Sequence, residues 1–252
     1  MTTTTQKRAY GWQPDRPDHR DVPLRLTRAD KLPASVDLRD TGHLPPVMDQ
    51  GQLGSCTAHG ITAAVRYARR AQGLRDRALS RLQLYYDERA LEGAVKSDAG
   101  AAIRDGIKSV AKVGVGDEKL WPYDVAKFAA RPPKAVYSSA AAYQALRYAR
   151  VPVSVAGLKS ALAQGFPVVV GISVYEQFES AAAAKTGQID MPEGGPIGGH
   201  CMLAVGYGED GTFTVQNSWG KSWGDRGFCR VPAEYLGSAQ FGGDYWSVTQ
   251  VG

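Results

Sequence analysis

Hydrophobic residues recur at helical spacing in the first half of the chain and gather into a continuous β-branched run in the second, and that change of character divides it. After Cys56, the apolar positions Ile61, Ala64, Val65 and Ala68 fall at i, i+3, i+4 and i+7. This spacing predicts one face of a helix ending near Gly73. Residues 79–93, LSRLQLYYDERALEG, predict a second helix, and residues 97–114, SDAGAAIRDGIKSVAKVG, contain a third that stops at Gly114. The proline-broken KFAARPPKAV, residues 127–136, reads as a connection between lobes. Beyond it the pattern changes. Ser154 is placed to cap a helix running to Gly165, and FPVVVGISV, residues 166–174, is the β-branched run of a buried strand. GHCMLAVGYG and TFTVQNSWG flank Glu209-Asp210-Gly211, a hairpin signal.

Three segments follow: an N-terminal extension at 1–32, a helical lobe at 33–140 and a β-rich lobe at 141–252, an α+β chain with no internal repeat. The extension contains GWQPDRPDHRDVP, whose prolines favour extended backbone over helix, with Tyr10 and Trp12 available to dock. At 252 residues and 43% hydrophobic composition, the chain can bury a sizeable core.

A net charge of +5 decides little about partners. Arg66, Arg69, Arg70, Arg75, Arg77 and Arg81 form the densest basic stretch. Asp76 interrupts it and no aromatic interleaving accompanies it, so a solvated face is expected rather than a nucleic-acid surface. No apolar run reaches the roughly 18 residues of a membrane span. The first residues lack the apolar core of a secretory signal, so the chain as written is expected to be cytoplasmic, exported by another route, or numbered from a processed form. No CxxC or HExxH pattern is present, so neither a metal nor another cofactor is implied. Three cysteines, Cys56, Cys201 and Cys229, cannot all pair within one chain.

The chemistry gathers around DQGQLGSCTAHG, residues 49–60. A cysteine at a helix N-terminus sits in the positive end of the helix dipole, which favours thiolate, and Gly51 and Gly54 let the preceding backbone turn tightly. A nucleophilic thiolate needs a base. His19 and His43 lie in proline-flanked polar segments, and His59, three residues beyond Cys56, reads as a packed ring. His200 opens a strand whose hairpin partner ends at Asn217, so the two land near the same end of the pair. The asparagine there is placed to hold the ring's tautomer, and Trp219 to cover the bond. The backbone N–H of Cys56 and the side-chain amide of Gln50 are the candidate oxyanion donors.

With these residues in place, the chain resembles the papain-like cysteine peptidases, in particular compact bacterial-type members. QGQLGSCTA resembles the family's Gln-Gly…Gly-Ser-Cys block, His200 with CMLAVGYG its histidine strand, and NSWGKSWGDRGFCRV its Asn-Ser-Trp-Gly block. LPASVDLRD resembles the start of the mature domain, and GVGDEKLWPYD the Glu…Tyr-Pro-Tyr segment, so the likeness spans about residues 33–250. It implies a helical left lobe, a β-barrel-like right lobe and a groove between them for an extended peptide. It implies a thiol protease in which Gln50, Cys56, His200 and Asn217 are catalytic. Gly54, Ser55, Gly100, Gly171, Gly199, Cys201 and Trp219 would contact substrate, with Gly171 and Cys201 in the wall of the specificity pocket. The implied partner is a peptide or protein substrate of a monomeric enzyme, with neither nucleic acid nor membrane. A peptide ligase or transpeptidase using the same acyl-enzyme, and a non-catalytic peptide-binding pseudo-peptidase, are the rival readings.

Departures are equally informative. Thr57 replaces the tryptophan usual after the nucleophile, and Leu53 stands where the family commonly has cysteine. Cys201 and Cys229 either pair or are buried thiols. About 32 residues precede the mature-like start, too few for the family's long helical propeptide. They are expected to lie along the lobe surface, anchored by Tyr10 or Trp12, as a short pro-segment that shields or orders the groove, making the chain a zymogen.

Overall fold

A computed structural model describes residues 8–252, so the first seven residues of the expected extension lie outside the described ones. Helix α1 (Cys56–Ala71) is central. It is buried on nearly every side from Cys56 to Val65, because helices cover one face and a sheet the other. Against it pack α2 (Arg81–Leu91), whose Ser80 side chain accepts from the Gln83 N–H as an N-cap, and α3 (Ile103–Lys112). The expected lobe connection carries a short helix, α4 (Lys134–Ala140).

The second lobe is an antiparallel sheet. Its path runs β4 (Ala145–Val151), β9 (Gly242–Val251), β5 (Val168–Val174), β6 (Gly198–Tyr207), β7 (Thr212–Gln216) and β8 (Phe228–Pro232). A short β2 (Val36–Asp37) pairs with β6, and the path does not close on itself among the described residues. Helix α5 (Val155–Ala163) is capped by the Ser154 hydroxyl, as its sequence predicts, and the short α6 (Ala181–Thr186) and α7 (Ala233–Leu236) fill the connections. The β6–β7 turn is the predicted one, with Gly211 at φ 75°. The long strands β5 and β6 are nearly all buried, since α1 covers one end of the sheet and strand neighbours flank both sides.

The extension is not confined to the lobe surface. Its strand β1 (Trp12–Gln13) pairs in parallel with β3 (Ala101–Ala102) just ahead of α3, between the two lobes. Further along, Leu24 N–H donates to the Arg150 carbonyl at 2.8 Å and Thr27 N–H to the Ser160 hydroxyl at 2.5 Å, so the segment continues over β4 and α5.

The basic run is not the solvated face its spacing suggested. Arg66 grips Asp76 at 2.7 Å, Arg70 donates to the Leu44 carbonyl at 2.7 Å, and Arg81 pairs with Glu118. Arg69 is buried and donates to the carbonyls of Ala142 and Gly252. These guanidiniums tie loops and the C-terminal strand to α1 and α2, using several fixed donors each. All three cysteines are free and buried, so Cys201 and Cys229 are not bridged.

One buried carboxyl gives a stability prediction. Glu88 on α2 is fully buried and accepts from the Thr57 hydroxyl at 2.7 Å, while its other oxygen has no partner among the described residues. Burial pushes its pKa well above the usual carboxylate range. A carboxyl raised in the folded state stabilises fully only below its unfolded pKa, and that contribution is lost as pH rises toward the folded value. Glu88→Gln keeps an acceptor for Thr57 and removes the ionisation. Its melting temperature should exceed wild type at pH 7 and converge with it near pH 4. Thermal melts across that range would refute this if the variant were no more stable at any pH.

Candidate active site

The loop 49–55 is fixed before it presents Cys56. Gly51 adopts φ 60°, its N–H donating to the Asp49 carboxylate at 2.8 Å. Gln50 is fully buried: its N–H donates to the Ser218 carbonyl at 2.9 Å, and its Oε1 accepts from the Ser218 hydroxyl at 2.6 Å. The Gln50 amide Nε2 donates to the carbonyls of Leu53 at 2.9 Å and Ala9 at 3.0 Å. The loop thereby hangs on the Asn217-Ser218 turn of the opposite lobe, which sets the spacing across the cleft.

His200, near the start of β6, meets Asn217 just past β7. Its Nε2 donates to Asn217 Oδ1 at 2.8 Å, and Oδ1 also accepts the Ser218 N–H at 2.8 Å. This commits Nε2 as the protonated nitrogen and leaves Nδ1, buried and without a partner among the described residues, as the basic one. The Trp219 ring stacks on the imidazole at 4.8 Å and 25°, and Trp223 meets Trp219 edge-on at 4.9 Å. The indoles wall the His200–Asn217 bond from water.

Cys56 opens α1 with the backbone amides of Cys201, Gly11 and Thr57 against its thiol, so it lies beside the strand that carries His200. Burial pushes the thiol up to about 12, against the pull of those amides. Burial likewise pushes His200 down to about 4, opposed by Asn217. Covered in this way, the pair is a neutral thiol and a neutral imidazole at pH 7.

The cover is the extension. The Tyr10 ring stands edge-on to His200 at 6.0 Å and to Trp219 at 6.2 Å, and its hydroxyl bonds to Glu179. Gly11 passes so close to Gly54 that a Cβ on it would lie 1.7 Å from the Gly54 carbonyl oxygen, and its own carbonyl accepts from the Ala101 N–H at 2.7 Å. Trp12 is 8% exposed and sits on Gly171, Gly199 and Gly243; a Cβ on Gly171 would be 2.3 Å from the indole. Arg8 lies over the Trp219 ring at 5.0 Å.

Of the predicted site residues, His200 bonds Asn217 and stacks on Trp219, Gln50 joins them through Ser218, and Cys56 at the start of α1 lies against Cys201, the neighbour of His200 on β6. Gly54, Gly100, Gly171 and Gly199 all touch the extension. Ser55 does not present its side chain to the cleft: its hydroxyl turns inward to Tyr123 at 2.6 Å. The Cys201 thiol packs toward Gly60 of α1, so its backbone, not its sulfur, faces the site. His59 is the packed ring expected, bonded to the Ser55 carbonyl and Arg81.

Sequence reasoning missed Gly198 and Gly243, which make room for the extension, Gly11, which lets it pass close to Gly54, and Asp98, whose carboxylate accepts the Gly54 N–H at 3.0 Å. The Gly242-Gly243 pair inside a strand pattern was the available signal, since glycine there marks close approach of another chain.

The family model described as papain family cysteine protease matches residues 32–241. An uncharacterized peptidase C1-like protein of Acanthamoeba polyphaga mimivirus is 38% identical over 279 residues, covering 100% of this chain and 90% of the viral one. Cathepsin K of Gallus gallus is 30% identical over 210 residues, 79% of this chain and 58% of its own. The crystal structure of xylellain, a cysteine protease from Xylella fastidiosa, matches with a TM-score of 0.88 at 35% identity, covering 98% of this chain and 99% of xylellain.

Proposed function

Because this chain belongs to the papain family of cysteine proteases, we propose that it hydrolyses peptide bonds through Cys56, His200 and Asn217, with Gln50 as oxyanion donor. The observation that carries this reading is the one-sided commitment of His200. Asn217 Oδ1 accepts the hydrogen bond from Nε2–H at 2.8 Å and leaves the Nδ1 lone pair for a proton from Cys56. The Cys56 sulfur attacks the substrate carbonyl carbon while its proton resides on Nδ1. The carbonyl oxygen, now negative, takes donors from Gln50 Nε2 and the Cys56 N–H. His200 passes the proton to the amine nitrogen as the C–N bond breaks, leaving a thioester on Cys56. Water then attacks the thioester, gives its proton to Nδ1, and releases the acid as the C–S bond breaks and the thiol is restored.

The extension is proposed to be an inhibitory pro-segment. A carbonyl of its own, that of Ala9, occupies the Gln50 amide at 3.0 Å, and the Gly11 amide occupies the thiol, so the machinery is engaged by the chain itself.

The test is mass spectrometry of the intact chain after exposure to a thiol-reactive epoxysuccinyl peptide, with Cys56→Ala and His200→Ala as controls. Slow labelling confined to Cys56 and absent from the His200 variant is expected. Because burial pushes the covered thiol up to about 12, the rate should keep climbing with pH through the neutral range, without a plateau. Equal labelling of all three cysteines, indifferent to His200→Ala, would refute the triad.

A further inference from the structure

Beyond the aromatic pocket the extension turns into the body of the protein, and its contacts become ionic. The Asp15 side chain is fully buried. Its Oδ1 accepts the backbone N–H of Arg104, in the first turn of α3, at 2.9 Å. Its Oδ2 accepts the Trp246 indole N–H at 3.0 Å and the Arg150 guanidinium at 3.3 Å. The Asp15 backbone N–H donates to Asp244 at 2.7 Å, and Asp244 holds Arg150 at 3.0 Å. Asp21 pairs with Arg104 and stands 3.4 Å from Arg150. Both guanidiniums lie over the Trp246 ring, at 5.7 and 5.5 Å.

Every donor to the Asp15 carboxylate comes from the body: α3, β4 and β9. Without Asp15 and Asp21, Asp244 would be the one body carboxylate paired with either guanidinium among the described residues, and three converging N–H groups would lose their acceptor. Buried donors and charges left unpaired are costly, so this place favours an anion whoever supplies it. Asp244 is itself held at φ 60°, a conformation few non-glycine residues adopt, with its carboxylate aimed at Arg150 and at the peptide N–H of its guest. The next residue back, Gly243, floors the Trp12 pocket, so the cradle and the aromatic pocket are continuous along β9.

We propose that Arg104, Arg150 and Trp246 form an acid-accepting subsite. With the extension out of the groove, it takes an Asp or Glu side chain of a peptide substrate whose aromatic residue fills the Trp12 pocket. The separation is about three residues, as from Trp12 to Asp15. This rests on the peptidase reading and adds a second determinant to it: an aromatic anchor and an acid at fixed distance. The aromatic pocket alone would accept many peptides, whereas the pair selects among them.

The experiment uses the full chain with Gly11→Ala and Asp15→Asn combined, which opens the groove and removes the resident acid. Matched peptides carry one tryptophan and either Asp or Asn at each of three positions on both sides of it, which also separates the two chain directions. At one position the Asp peptide should have the higher kcat/KM, on the order of tenfold, as expected for a charge-assisted hydrogen bond. Adding Arg150→Ala should bring that ratio close to one. Trp246→Phe, which removes the indole N–H and leaves a smaller aromatic ring, should lower it partway. Each ratio compares two substrates on one protein, so partial loss of folding cancels. An Asp-to-Asn ratio within about twofold of one at every position, or a ratio untouched by both variants, overturns the subsite. Absence of cleavage together with absence of Cys56 labelling overturns the peptidase reading and the subsite with it, an outcome distinct from cleavage without acid preference.

Discussion

Replacing Gly11 by alanine should speed alkylation of Cys56 in the intact chain by about 10- to 100-fold. The added Cβ would lie 1.7 Å from the Gly54 carbonyl oxygen and 2.4 Å from its carbon, and that backbone is the loop that presents the nucleophile. The Gly54 loop is pinned to Ser218 through Gln50, so it is the extension that must lift. Lifting breaks the bond from the Ala101 N–H to the Gly11 carbonyl and releases Ala9 from Gln50. It also withdraws Trp12 from its pocket. Burial of a large apolar side chain stabilises by roughly 1.5–3 kcal/mol, which sets the size of the expected effect at about tenfold per 1.4 kcal/mol. The measurement is the second-order labelling rate by mass spectrometry. A free peptide with the sequence of residues 8–24 added in excess should restore the slow rate. An unchanged rate in the variant would mean that the extension does not limit access to the thiol.

The same lifting should change the electrostatics of the pair, not only its accessibility. Desolvation is the main cause of both shifts, raising Cys56 to about 12 and lowering His200 to about 4. Water entering where Gly11 and Tyr10 lay relieves both at once. The thiol then falls and the imidazole rises, and the pair moves toward thiolate and imidazolium at neutral pH. A segment that excludes water from such a pair suppresses reactivity as well as blocking the path to it. On the proposed pro-segment role, a few residues in contact with the site would do the work of a larger cover.

Much of this was legible in the residues, for a physical reason. Helical spacing located α1, a continuous β-branched run located β5 and turn residues located the β6–β7 hairpin, because each element has one buried face or lies wholly inside. His200 and Asn217 were placed together by hairpin counting, which depends only on strand geometry. The arginine run misled because side-chain length lets a guanidinium leave its own helix face: Arg69 reaches the Gly252 carbonyl, which no local pattern encodes. Ser55 and Cys201 were assigned by position in a motif, but which way a side chain turns depends on neighbours such as Tyr123 and Gly60 that are remote in sequence. The path of the extension was the least legible. Gly11, Gly54, Gly171, Gly198, Gly199 and Gly243 matter by lacking a side chain, and an absence shows no periodicity.

Gln50→Ala, measured in the opened Gly11→Ala background, should lower kcat by about 10²–10³ with little change in KM. In the proposed mechanism the amide is a donor to the charge that develops in the transition state, and loss of one such donor typically has that effect on kcat. A substrate carbonyl before attack is a weaker acceptor than the oxyanion, so binding depends less on the donor. The rival role for Gln50 is as a brace, because its Oε1 accepts from Ser218 and its Nε2 also bonds Leu53. Gln50→Glu separates the two. It keeps an acceptor for Ser218 and, like alanine, loses the donor to Leu53, but it places an anion beside the developing oxyanion, so a brace acting through Ser218 would survive it and a donor would not. Activity in the glutamate variant equal to or below that of the alanine variant is the result expected of a donor. Recovery of most of kcat in Gln50→Glu, or a rise in KM with kcat unchanged in Gln50→Ala, would assign the residue to holding the loop and leave the oxyanion to the Cys56 N–H and a partner elsewhere.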